Sequence, residues 1–180
     1  MSRDDTFAID FELRFVSQLE NLQQDRAAMA TLRRSLAFDL GTHIASYPHV
    51  EPFANNVSPW RRKMCYLVAG LYASHPRNTS AEHSFGKAMQ QLTARRESGS
   101  LERRFITLLD ADDEQLANRL RQMVGLLRSD DIAINYALLL RDLGYWRSPR
   151  RLSQQRWARD FYRTTSTTET NDTTTATERS

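Results

Sequence analysis

Apolar side chains recur along this chain at spacings of three and four, the signature of amphipathic helices. Phe11, Phe15, Leu19 and Leu22 mark one face of a helix over residues 7–22. Asp25 suits the N-cap of a second helix carrying Met29, Leu32, Leu36 and Leu40, which Gly41 closes. A loop containing Pro48 and Pro52 is expected next. Ser58-Pro59 then starts a helix bearing Trp60, Met64, Leu67, Val68 and Leu71, and His75-Pro76 stops it. Phe85, Met89 and Leu92 mark a fourth helix, and Ser98-Gly99-Ser100 reads as a hinge.

Beyond the hinge, Leu101, Phe105, Leu108 and Leu109 predict a short helix. Asp112 followed by Gln115 resembles a capping box, with Leu116, Leu120, Met123, Val124 and Leu127 continuing from it. Ser129-Asp130 is expected to open a helix that Gly144 closes, and Ser148-Pro149 to open the last, carrying Trp157 and Phe161. The pattern predicts an all-α protein of about eight helices in two small packed helical bundles, spanning residues 1–97 and 98–163. Residues 164–180 differ in kind: nine of these 17 are Thr and Ala176 is the one apolar side chain. Such a segment cannot bury enough surface to offset its ordering entropy, so a disordered tail is expected.

Composition narrows the function classes. With 40% hydrophobic and 26% charged side chains in 180 residues, the chain can pack a core. Only 6 Gly and 5 Pro argue against barrels and collagen-like repeats. No run approaches the roughly 18 apolar residues of a membrane span, and the acidic start Met1-Ser2-Arg3-Asp4-Asp5 is unlike a signal peptide. A single Cys precludes an intramolecular disulfide. A soluble cytoplasmic protein is expected.

No catalytic constellation is visible. His43, His49, His75 and His83 lack zinc-protease spacing, and no phosphate loop or GxGxxG occurs. Cys65 lies between Met64 and Tyr66 on an apolar helix, where a buried thiol is the natural reading. The run Asp110, Asp112, Asp113 and Glu114 suits a helix N-terminus. Neither a metal, a cofactor nor an enzyme activity is expected.

Arg is what clusters. The formal charge is +3, and its basic side is 23 Arg against Lys63 and Lys87. Pairs fall at Arg33-Arg34, Arg61-Arg62, Arg95-Arg96, Arg103-Arg104 and Arg150-Arg151. On the last helix, Arg156, Arg159 and Arg163 form a stripe facing away from Trp157 and Phe161. A guanidinium pairs bidentately with phosphate, so these positions are candidates for gripping a nucleic-acid backbone. The competing reading is a helical protein-interaction or regulatory module whose Arg content reflects codon usage, each Arg being balanced by a nearby acid.

Taken in order, the blocks FVSQLENL, DRAAMATLRRSLA, WRRKMCYLVAGLYASHP, FGKAMQQL, LERRFITLLDADDEQLANRLRQMVGLL, INYALLLRDLGYW and QQRWARDFY resemble the CasB family. These are the small subunits of the type I-E CRISPR surveillance complex, Cascade. The resemblance implies an all-helical, non-catalytic subunit working with other Cascade subunits, CRISPR RNA, target DNA and a second copy of itself. It implies that basic residues help hold the R-loop and its displaced strand. By motif those residues are Arg33, Arg34, Arg103, Arg104, Arg121, Arg150 and Arg151; the stripe adds Arg156 and Arg159.

Overall fold

The computed structural model describes residues 3–163, with side chains from residue 10 onward. The Thr-rich segment read as a tail lies outside the described residues. Among the described residues there are nine α-helices and no strand. They are α1 (Arg3–Asn21), α2 (Arg26–Ser35), α3 (Tyr47–Ala54), α4 (Pro59–Ser74), α5 (Phe85–Arg96), α6 (Gly99–Leu109), α7 (Asp113–Ser129), α8 (Tyr136–Gly144) and α9 (Leu152–Tyr162).

The interior is organised around α4. Its residues from Met64 to Ala73 are buried all round, because α2, α3, α7 and α8 surround it. The flanking helices each contribute one apolar face, through Phe15 and Leu19 of α1, Leu32 of α2, Leu120 of α7 and Leu140 of α8. α1 packs on α8, and α5 on α9, where Phe85, Trp146 and Trp157 meet with ring centroids 5.0 Å apart. One continuous apolar cluster runs through all these contacts.

Capping predicted from sequence holds where a short polar side chain precedes the helix. Asp25 accepts from the amides of Ala27 and Ala28 at 3.0 and 2.9 Å, and Asp112 from those of Glu114 and Gln115 at 3.1 and 2.9 Å.

Four local expectations are corrected. The segment with Pro48 and Pro52 is not a loop but α3. The two prolines sit four apart on its exposed side, while Val50 and Ala54 form the buried side. The helix expected to reach Leu40 ends at Ser35, where the amides of Ala37 and Phe38 turn back to the carbonyls of Arg34 and Ser35 at 3.0 and 3.1 Å. Gly41, at φ +83°, completes the following turn, a left-handed conformation that suits glycine.

Ser129-Asp130 does not open a helix. α7 runs through Ser129, Asp131 takes φ 53°, and Ile132 and Ile134 are buried in an extended link bridged to Asn78. Asn135 then caps α8. Likewise Pro149 sits in a turn, and α9 begins only after Arg151, whose φ is 49°.

Candidate nucleic-acid interface

Two helix ends meet against the flank of α7, and their spare carbonyls gather arginines. The last carbonyls of a helix have no partner within it and form the negative end of its dipole. At the end of α4, the Nε and Nη2 of Arg33 donate to the Ala73 carbonyl at 3.1 and 2.9 Å. Arg128 reaches the Ser74 carbonyl beside it at 3.5 Å. At the end of α2, Arg121 donates to the Leu36 carbonyl at 2.7 Å. All three arginines line one cleft of about 240 Å³.

No carboxylate is among the described residues lining that cleft. Arg33 and Arg121 are therefore anchored by neutral oxygens, which fix their positions without cancelling their charge, and Arg128 lies beside a third at a longer distance. Arg121 and Arg128 are seven residues apart and share a face of α7. Gly125 lies between them, and a Cβ added there would meet nothing within 4 Å. The space between the cations is open to a ligand backbone.

A second hollow, of about 680 Å³, shares Leu36 and Arg121 with the cleft. Its charged lining balances, with Lys63, Arg121 and Arg147 against Asp39, Asp113 and Glu114. Arg147 is paired with Asp113 at 2.9 Å and lies over the Trp60 ring at 4.9 Å. Phe38 forms one wall from the turn after α2. It stacks on His43 at a centroid distance of 4.6 Å and an interplanar angle of 17°, yet is 49% exposed.

The other sequence candidates scatter. Arg34, Arg103, Arg104 and Arg150 are exposed, and none of them lines the cleft. Arg159 is exposed and donates to the Gln155 carbonyl at 3.3 Å. Arg151 is tied to the end of α6, donating to the Leu109 carbonyl at 2.7 Å and to Asp110 at 2.9 Å.

Arg156 departs furthest from the expected outward stripe. Its guanidinium pairs with Asp142, a buried carboxylate that also accepts from Trp157 Nε1 at 2.6 Å. Burial pushes the Asp142 carboxyl above its ordinary range, and Arg156, the Trp157 hydrogen bond and Arg141 oppose that shift. Arg61 and Arg96 are similarly engaged, by buried Glu12 and by Asp130. The arginines thus divide into those paired with acids and those whose charge no described acid offsets.

A third hollow, of about 720 Å³ between α1 and α8, has the opposite character. Glu20 and Glu82 line it against Arg141, with Glu12 already paired to Arg61, which disfavours phosphate there. Burial pushes the Cys65 thiol up to about 12, so it is protonated at neutral pH and a poor nucleophile. Buried His75 is bound through Nε2 to the Ile132 carbonyl at 2.7 Å. No group of three metal-ligating side chains occurs among the described residues. No helix among them is long and apolar enough to cross a membrane.

Sequence reading passed over Arg128 and Phe38. Arg128 had a usable signal, since it falls one heptad after Arg121 with a glycine between. Phe38 had none, because it lies just past Leu36, where the apolar pattern of α2 continues beyond the point at which the helix stops.

Comparison with known proteins gives consistent matches. A family model described as CRISPR-associated protein Cse2 matches residues 28–162. A CRISPR-associated protein Cse2 from Thermus thermophilus is 41% identical over 157 residues, covering 83% of this chain and 88% of that one. The crystal structure of CasB from Thermus thermophilus is similar with a TM-score of 0.75 at 39% identity, over 84% of this chain and 97% of that chain. A chain of a CRISPR RNA-guided surveillance complex shares the fold at 22% identity, with a TM-score of 0.76, over 86% of this chain and 92% of its own.

Proposed function

The chain belongs to the CRISPR-associated Cse2 family, and from that premise we propose that it is a non-catalytic, nucleic-acid-binding subunit of a cytoplasmic CRISPR RNA-guided surveillance complex. Its partners in this reading are the other subunits, a second copy of itself, the CRISPR RNA and the target DNA. Its task is to steady the guide RNA–target DNA R-loop and the displaced strand. Base pairing by the guide carries the sequence information, so a supporting subunit needs geometry and charge rather than base recognition. Exchange of a DNA duplex for an RNA–DNA hybrid is nearly balanced, so a few backbone contacts can tip it.

The observation that carries this reading is the cleft of Arg33, Arg121 and Arg128, three cations gathered at two helix ends with no carboxylate among its described lining. Exposed Arg34, Arg103, Arg104, Arg150 and Arg159 add charge outside it. The test is fluorescence-anisotropy titration of the full chain against single-stranded DNA, duplex DNA and an RNA–DNA hybrid at two salt concentrations. Replacing Arg33, Arg121 and Arg128 together by Gln keeps a polar side chain at each position while removing the charge. That variant is expected to keep its helical circular dichroism and to bind at least tenfold more weakly, on the order of the loss that a few phosphate contacts carry. Arg103→Glu with Arg104→Glu is expected to weaken binding with the fold intact. Unchanged affinity and salt dependence in both variants would overturn the reading.

A further inference from the structure

We infer that the hollow beside the cationic cleft receives an unpaired nucleobase, stacked on Phe38, from a strand whose phosphate lies among Arg33, Arg121 and Arg128. This rests on the backbone-holding reading above and adds to it a preference for unpaired strands.

A nucleotide needs two adjoining environments of different kinds. Its phosphate seeks uncompensated positive charge, and its base seeks a flat apolar surface with little net charge. The cleft and the hollow supply these two environments side by side, and Arg121 and Leu36 belong to both. With Arg121 turned to the phosphate, the hollow keeps Lys63 and Arg147 against Asp39, Asp113 and Glu114, a small net charge, and Leu40, Trp60 and Met64 are among its walls.

Phe38 supplies the flat surface. It is 49% exposed and lines the hollow. Stacking on His43 and the hydrogen bonds of the 36–42 turn hold it in place, with the Thr42 amide on the Asp39 carbonyl at 3.0 Å and the Tyr47 hydroxyl on the Gly41 carbonyl at 2.7 Å. A ring fixed in advance loses little freedom when a base stacks on it. In a duplex the base faces are occupied by their neighbours, so this contact is open to an unpaired or extruded base alone.

The test uses the full chain and three probes of one length and salt: an oligothymidine strand, the same strand with abasic spacers, and a duplex. Base–aromatic stacking of ordinary strength makes the thymidine strand bind about fivefold or more tighter than the abasic one. Phe38→Ala is expected to remove that margin while leaving abasic and duplex affinities as they were, and Phe38→Trp to restore it. Equal affinity of the wild-type chain for base-bearing and abasic strands would overturn the base site. So would wild-type affinity of Phe38→Ala for the thymidine strand. The phosphate reading fails separately: the Gln triple variant would then bind the abasic strand as tightly as wild type does.

Discussion

Asp142 serves two donors from the buried side of α8, and its partners show what a single side chain contributes here. Trp157 Nε1 fixes one carboxylate oxygen and Arg156 the other, so one acid orders both the indole and the guanidinium of α9. Without Arg156 the buried Asp142 charge is offset by Arg141 alone, whose Nε lies 3.7 Å from the same carboxylate oxygen, and breaking a buried pair is costly. Arg156→Gln is expected to lower stability by about 2–3 kcal/mol, below the full cost of a buried pair because the arginine is part-exposed. Urea unfolding followed by tryptophan fluorescence measures this, and nucleic-acid affinity below the transition should match wild type. A weakened affinity with unchanged stability would instead place Arg156 at the ligand. In the sequence alone, Arg156 and Arg159 look alike, since both lie off the apolar face of α9. Only the fold brings Asp142, fourteen residues earlier, beneath one of them.

At the level of elements, the contact between α5 and α9 depends on a residue with no side chain. A Cβ on Gly86 would fall 2.6 and 2.7 Å from the Trp157 carbonyl carbon and Cα, which are backbone atoms of a packed helix and cannot swing aside. Gly86→Ala is therefore expected to cost about 3 kcal/mol despite its better helix propensity. That corresponds to roughly 6–12 °C in Tm for a chain of this size, measured by scanning calorimetry. A Tm within a degree or two of wild type would mean the helices are not so closely apposed. Helix content was legible in the sequence because the long helices carry apolar stripes, and Asp25 and Asp112 announced their helix starts. The ends were less legible. Leu36 and Leu40 keep helical spacing while the backbone has already turned, and Pro48 and Pro52 suggest a loop where their four-residue spacing lets a short helix show both to solvent.

For the whole molecule, where charge sits matters more than its total. A net +3 over 180 residues is small, yet the cleft between α2, α4 and α7 holds three arginines without an acid among its described lining. The hollow between α1 and α8 holds Glu20 and Glu82 against Arg141, its third glutamate, Glu12, being paired with Arg61. Under the proposed function, a polyanion would be attracted to the first region and repelled by the second, so the field would orient a strand before contact. Of the three cleft arginines only Arg33 belongs to an Arg pair, and Arg33, Arg121 and Arg128 come together only when α2, α4 and α7 pack. The number of charges that meet phosphate can be read from salt. Each phosphate neutralised on a single strand contributes about 0.7 to the slope of log affinity against log salt concentration. Replacing Arg33, Arg121 and Arg128 by Gln should therefore flatten that slope by about 2 for single-stranded DNA, whereas Arg156→Gln should leave it unchanged. A uniform loss of affinity in the triple variant with an unaltered slope would mean that these cations brace the ends of α2 and α4 without touching the strand.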